Sequence, residues 1–275
     1  MVRKDRTEKL MLATRIITPS APLLSGPRVD ASLDSECLFG ELFEIADGGV
    51  LPDRGFVFGT LGTDGYQGWV PRECLGDMPP PTARIMAPMS DVTSAADIKS
   101  AGRFGLSLGA LVTVTEIAAD RARIVTASGD GFLPCQHLSQ VAADDNHLPA
   151  ADAKIDDWVE LGEHLIGSPY KWGGRTAWGL DCSALVQLAL AAAGLGVPRD
   201  SGPQHAIGTP ISDLAALGRG DLVFWHGHVG IMQDGTRLLH ANAHHMAVTS
   251  EPLGAAIERI ASIAGPVTAL RRPII

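Results

Sequence analysis

Tyr170-Lys-Trp-Gly-Gly-Arg-Thr-Ala-Trp-Gly-Leu-Asp-Cys-Ser-Ala-Leu-Val, residues 170–186, is the stretch on which the fold turns. It opens on turn chemistry, with Pro169 just before it and Gly173, Gly174 and Gly179 inside it. It then runs into Leu185, Val186, Leu188, Ala189, Leu190 and Ala191, good helix formers that stop at Gly194 and Gly196. The pattern predicts a helix from Cys182 to Ala193, apolar nearly all round and therefore buried. Asp181 stands at its N-cap and Cys182 in its first turn. Unpaired N–H groups and the positive end of a helix dipole favour a thiolate. The position therefore predicts a nucleophile with a thiol pKa below the ~8.5 of free cysteine. A lone cysteine at such a place is more often inert packing, so the downstream chain has to decide.

Downstream, Gly220-Asp-Leu-Val-Phe-Trp-His-Gly-His-Val-Gly-Ile-Met-Gln (220–233) is followed by Asp234-Gly235 and by Thr-Arg-Leu-Leu-His-Ala (236–241). Residues 222–225, 229–232 and 237–241 read as three strands, the last two joined by the Asp-Gly turn. A cysteine at a helix start with histidines on adjacent strands is what a cysteine hydrolase needs. An imidazole takes the thiol proton, and a second polar group holds that imidazole in the right tautomer. The plainer reading of His228 or His240 taken alone is a core imidazole. His226 and His228 lie two apart and would share a strand face. With His240, His244 and His245 they raise the alternative of a zinc site. Zinc takes three or four convergent ligands at a recognisable spacing, and no cysteine joins these, so no metal and no cofactor is assigned. His244-His245 reads as an exposed loop pair.

In order along 170–241 the chain resembles the NlpC/P60 family of papain-like cysteine peptidases. That family carries Y-x-W-G-G, D-C-S-G-L-V, G-D-L-V-F-F, H-V-G-I-Y and an H-A pair. Here the blocks are Tyr170/Trp172/Gly173/Gly174, Asp181 to Val186, Gly220 to Trp225, His228 to Met232, and His240/Ala241. Ala184 replaces the usual Gly and Met232 the usual Tyr, both packing positions. The resemblance implies an α+β, papain-like catalytic domain at 151–275, with Cys182 attacking an amide carbonyl, His228 as base and His240 as its orienter. It also implies that Tyr170 assists the oxyanion beside the Cys182 backbone N–H; packing against Trp172 is the plainer role for that ring.

The chain has 275 residues, enough for about two or three domains. Net charge is −9 and no Lys/Arg block exceeds a few residues, which argues against a nucleic-acid partner. Four cysteines at 37, 74, 135 and 182 include no C-x-x-C pair and make no disulfide framework. Neither a signal peptide nor an apolar span of about 18 residues is visible, so the expectation is a cytoplasmic protein with no membrane partner. Residues 1–27, charged and then rich in Pro and Gly, are expected to be a leader. Residues 28–78 have the rhythm of a small barrel and resemble a bacterial SH3 (SH3b) domain through Asp64-Gly-Tyr-Gln-Gly-Trp-Val. Residues 79–145 repeat that rhythm. D-G-Y-Q-G-W-V-P-x-x-C-L and D-G-F-L-P-C-Q-H-L read as a degenerate repeat, giving two tandem SH3b-like barrels. Pro149 to Lys154 is the expected boundary, and apolar spacing predicts a helix over 155–166.

The resemblance also supplies a substrate: a cell-wall muropeptide, cleaved between γ-D-Glu and the diamino acid, with a free N-terminal L-Ala. In the members that require the free amine, Asp181 and Ser183 bind that end, and an SH3b tyrosine and glutamate close it. Tyr66 fits the tyrosine. Glu36 is the chosen glutamate and Glu41 its rival. A barrel-core tyrosine and solvated glutamates are the plainer alternatives. An exported wall hydrolase of the same family, or a non-catalytic SH3b peptide-binding protein, stays open beside the recycling enzyme. Oligomeric state is not legible.

Overall fold

The protein is described by a computed structural model that covers residues 12–51, 55–140 and 157–275. The first barrel consists of β1 (Leu12–Ile16), β2 (Ser20–Leu24), β3 (Leu33–Leu38), β4 (Leu42–Leu51), β5 (Phe56–Leu61), β6 (Gln67–Pro71) and β7 (Leu75–Gly76), in the sheet order β3-β2-β6-β5-β4-β1-β7. Residues 12–24 are therefore not leader. β1 pairs with β4 and β7, and β2 with β3 and β6, so both are strands of this barrel. Ile16, Ala21 and Leu23 are fully buried in its core beside Phe43, Val57, Leu61 and Val70. Each of these strands alternates over only five residues, and Pro19 and Pro22 mask the pattern. Residues 1–11 of the expected leader lie outside the described residues.

The second barrel is built from β8 (Ala83–Ile85), β9 (Met89–Thr93), β10 (Gly102–Ser107), β11 (Leu111–Val112), β12 (Val114–Ala118), β13 (Arg121–Thr126), β14 (Gly129–Pro134) and β15 (Leu138–Gln140). In both barrels the repeated block forms a strand, one 3-10 turn starting after Pro71 or Pro134, and a short strand. The registers correct the repeat in detail. Val57 pairs with Val70 and Phe58 with Trp69, while Ala122 pairs with Leu133 and Arg123 with Phe132. Phe132 thus matches Trp69, and the second barrel has no counterpart of Tyr66.

In the third domain α1 (Trp158–Glu163) is shorter than the expected helix, with Asp157 accepting from the Val159 N–H at 3.2 Å as its N-cap. Ile155 and the expected boundary at 149–154 lie outside the described residues. Next come the hairpin β16 (Arg175–Thr176) and β17 (Gly179–Leu180), then α2 (Cys182–Ala192), α3 (Ser201–Gln204), β18 (Thr209–Pro210), β19 (Leu222–Trp225), β20 (His228–Met232), β21 (Arg237–Asn242), β22 (Ala247–Pro252), α4 (Leu253–Ala264) and β23 (Ala269–Arg272). All eleven residues of α2 are buried, as its apolar circumference requires. It ends in a Schellman motif. Gly194 takes φ +84°, Leu195 N–H donates to Leu190 O at 2.9 Å and Gly194 N–H to Ala191 O at 3.1 Å.

The strands form an antiparallel sheet in the order β18-β23-β19-β20-β21-β22. Its period-two alternation separates two cores. Leu222, Phe224, Val229, Ile231 and Leu239 pack with α2, while Val223, Trp225, Met232 and Leu238 pack with Leu253, Ala256 and Ile260 of α4. A buried helix on one face of an antiparallel sheet, with the cysteine at that helix's start, is the α+β papain-like architecture. Among the described residues no helix is long and apolar enough to cross a membrane.

The three bodies interlock. Phe39 of the first barrel lies in the core of the second, and Leu38 and Leu108 lie in the core around α2. The buried guanidinium of Arg175 donates to both Glu41 carboxylate oxygens at 3.0 Å, to Glu36 O at 2.7 Å and to Gln187 Oε1 at 2.8 Å. Gln187 in turn donates to Asp64 Oδ2 at 2.9 Å. From the second barrel, Ser107 Oγ accepts from the Ala177 N–H at 2.9 Å, and Arg84 donates to Ala191 O near the end of α2.

Candidate active site

Cys182 sits where the sequence placed it, at the first residue of α2, with Asp181 as N-cap accepting from the Ala184 N–H at 2.9 Å. The backbone N–H groups of Val229 and Ser183 reach its thiol, so the sulfur lies against the start of β20, where His228 stands. His228 Nε2 is 2.8 Å from His240 Nδ1, and His240 Nε2 is 2.7 Å from Glu251 Oε1 on β22. Arg259 of α4 is ion-paired to the same carboxylate oxygen. Cysteine and the two histidines, 58 residues apart at the extremes, are thus brought together by packing α2 on β20 and β21.

The electrostatics differ from expectation at the thiol. Burial pushes Cys182 up to about 12, and the Asp181 carboxylate adds to it; the Val229 and Ser183 amides and Arg199 pull the other way. The direction is opposite to that expected of a thiol at a helix start. The Asp181 carboxylate that caps α2 repels a negative charge on the sulfur. Burial, then His240 and Arg259, hold His228 down to about 3, while Glu251 and Asp181 oppose them. Both shifts favour the uncharged forms, a thiol and a neutral imidazole. Tyr170 is half-buried beside them, its phenol raised to about 12 by burial and by the Cys182 and Asp181 charges.

A cleft of about 270 Å³ opens over the thiol, lined by Cys182, Ser183, Trp172 and Asp181 from the third domain, with Asp200, Ser201 and Gly227 from its loops. Tyr66 and Asp34 of the first barrel close it. The Tyr66 hydroxyl bonds to Asp200, and burial followed by that carboxylate raises the phenol to about 12. Asp34 is raised by burial and by nearby Asp200, the cost of holding two carboxylates together. Asp181 is differently placed. Arg199 donates to it at 2.9 and 2.6 Å and Gly173 N–H at 3.0 Å, so its charge is already matched. Ser183 Oγ lies 3.2 Å from Asp181 Oδ1 and accepts from Arg199 at 2.9 Å.

Glu36 is corrected. Its carboxylate accepts from Lys171 Nζ and from the Arg175 N–H at 2.9 Å, and it does not line the cleft. Glu41 is taken by Arg175. Asp34 lines the cleft instead. It lies at a register shift in the β2–β3 pairing, between Ser35, opposite Leu23, and Leu33, opposite Leu24. His226 does not share a strand face with His228, because 226–227 is the turn of the β19–β20 hairpin, where Trp225 pairs with His228. His244 and His245 are exposed between β21 and β22. Among the described residues no group of three or more His, Cys, Asp or Glu is arranged to hold a metal. Sequence reasoning missed Asp34, Asp200, Glu251 and Arg259.

A helix-start cysteine, two hydrogen-bonded histidines and a cleft closed by the first barrel make up the candidate site. The chain belongs to the NlpC/P60 family. The profile of the NlpC/P60 family matches residues 167–260, and that of the bacterial dipeptidyl-peptidase SH3 domain matches residues 23–75. A probable endopeptidase of Corynebacterium glutamicum (strain R) is 36% identical over 155 residues, 48% of this chain and 71% of that protein. A gamma-D-glutamyl-L-lysine dipeptidyl-peptidase of Bacillus subtilis (strain 168) is 27% identical over 191 residues, 64% of this chain and 60% of that protein. The chain thus spans less than two thirds of that relative. The crystal structure of an NlpC/P60 family protein from Bacillus cereus ATCC 10987 superposes with a TM-score of 0.79 at 18% identity, covering 96% of this chain and 100% of that one, a likeness of fold.

Proposed function

We propose that the chain is a cysteine peptidase that hydrolyses the amide between γ-D-Glu and the diamino acid of muropeptides carrying a free N-terminal L-Ala. The cleft carries this reading. The thiol lines it together with Tyr66, Asp34 and Asp200, which make an anionic wall suited to an ammonium group. An acylated amine brings no charge and more bulk, and it leaves those carboxylates unpaired, which is strongly penalised. The names of the Bacillus relatives agree in bond type and in dipeptidyl release.

Cys182 Sγ attacks the γ-carbonyl as His228 takes its proton, with Tyr170 and the Cys182 N–H on the oxyanion. The C–N bond breaks, the proton passes from His228 to the leaving amine, and water releases the thioester. Such a substrate arises from wall turnover, which makes recycling in the cytoplasm part of the same proposal. The test compares kcat/KM for L-Ala-γ-D-Glu-diaminopimelate and its N-acetyl form. Discrimination of about a hundredfold or more is expected; comparable values overturn the gate. Release from intact wall would favour an exported hydrolase, and no turnover of any of the three a peptide-binding protein.

A further inference from the structure

His240 is fully buried, so both of its ring nitrogens have to be satisfied inside the protein. Beyond the histidine pair the polar chain continues through Glu251 to Arg259, and nothing in the mechanism above uses that extension. We propose that Glu251 is a positioning residue that fixes the tautomers of both histidines and thereby makes Nδ1 of His228 the atom that receives the Cys182 proton. This rests on the cysteine peptidase reading of the site.

The assignment follows from proton counting. Glu251, ion-paired to Arg259, can only accept, so the proton between it and His240 resides on His240 Nε2. A neutral imidazole carries one proton, and His240 Nδ1 is then an acceptor. The 2.8 Å contact therefore has His228 Nε2–H donating to His240 Nδ1. The remaining nitrogen of His228, Nδ1, carries no proton and is the basic atom. His240 keeps this arrangement because burial, Arg259 and His245 hold it neutral down to about 3. The charged and titratable groups facing the relay are Asp181 from the α2 cap, Glu251 from β22, Arg259 from α4 and His245 from the turn after β21. Without an acceptor at Glu251 the His240 proton can move to Nδ1. That drives the His228 proton onto its own Nδ1, and the base is blocked.

Where an orienting carboxylate touches the catalytic imidazole itself, the wrong tautomer costs on the order of 10⁴ in kcat, and one imidazole further out roughly a hundredfold is expected. Glu251→Leu removes the acceptor. Glu251→Gln keeps an oxygen that both His240 and Arg259 can use. The readout is the rate of iodoacetamide labelling at Cys182 in the full chain, by peptide mass, against pH. The unsubstituted protein should show a neutral plateau assisted by His228 and an alkaline limb from direct thiol ionisation. Glu251→Leu should lose the plateau by roughly a hundredfold and keep the alkaline limb, which a merely structural collapse would not spare. Glu251→Gln should restore the plateau. Nitrogen-15 spectra of the unsubstituted protein should place both imidazole protons on Nε2. An unchanged plateau in Glu251→Leu, or a proton on Nδ1 of either histidine in those spectra, overturns the proposal; the spectra decide it if the leucine variant does not fold. Neither measurement needs a peptide substrate. If both succeed and no muropeptide is cleaved, it is the substrate assignment that fails.

Discussion

The two barrels share a strand, 3-10 turn, strand block and pack on the same catalytic domain, yet they meet it differently. The first places Tyr66 and Asp34 in the cleft and holds Arg199, the partner of Asp181, through Ser35 Oγ at 2.9 Å. The second touches the loop before Asp181 and the far end of α2, through Ser107 to Ala177 and Arg84 to Ala191. One barrel forms a wall of the site and the other a brace behind it. A shared fold does not confer a shared role; a few side chains at the right edge do.

That contrast can be broken by substitution. Cys182→Ala sets the floor: turnover should vanish, a loss of at least about 10⁴-fold, while the melting temperature stays close to the parent's. Residual hydrolysis near the parent rate would remove the chemistry that both barrels are said to serve. Next in size, Asp34→Asn or Tyr66→Phe should lower kcat/KM for the free-amine peptide by roughly 10- to 100-fold, the worth of a hydrogen bond to a charged group. Neither should affect the N-acetyl peptide, whereas Ser107→Ala in the second barrel should affect both equally and little. If Ser107→Ala changes the free/acetyl ratio as much as Asp34→Asn does, the distinction between wall and brace is lost.

The pH dependence of stability sharpens the same contrast. His228 and His240 are depressed from 6.5 to about 3 in the folded chain. Below 6.5 the unfolded chain takes up protons that the folded chain refuses. Stability is therefore full above about 6.5 and declines as pH falls toward 3. The first barrel contains no histidine, so hydrogen exchange between pH 7 and 4.5 should loosen β20 and β21 before β4 and β5. Simultaneous loosening would show that the barrels and the catalytic domain unfold as one unit. The smallest effect belongs to Arg84→Met. The guanidinium is buried with Nε and Nη2 unpartnered, and burial lowers it to about 10. Losing one bond to Ala191 is offset by removing a buried charge, so stability should move by about 1 kcal/mol or less. A loss of activity larger than the loss of stability would promote the second barrel from brace to working part.

Local signals were read correctly where they lie close together in the chain. The run after Asp181 fixed α2 and its cysteine, because a helix that is apolar all round can only be buried. The strands around His228 and His240 followed from alternation and an Asp-Gly turn, and the tandem barrels from repeated turn residues. What escaped were partners set by register and by docking. β1 and β2 escape because each is only five residues long, with Pro19 between them and Pro22 inside β2. Asp34 and Glu36 are chemically alike and lie two apart in β3; the approach of Lys171 and Arg175 decides which carboxylate is consumed, and the register shift at Asp34 is not legible in the sequence. Glu251 reaches His240 because β21 pairs His240 with Thr249, two residues away on the same face. Even the acidity of Cys182 was settled by burial and by the charge of its own N-cap, terms that exist only once the domains have closed over it. The sequence by itself determined Cys182 at the start of its helix and the two histidines on adjacent strands, since these depend on local pattern. The wall of the cleft, the tautomers and the resting protonation were decided by tertiary structure, because Coulomb and desolvation energies depend on distances that chain order does not contain.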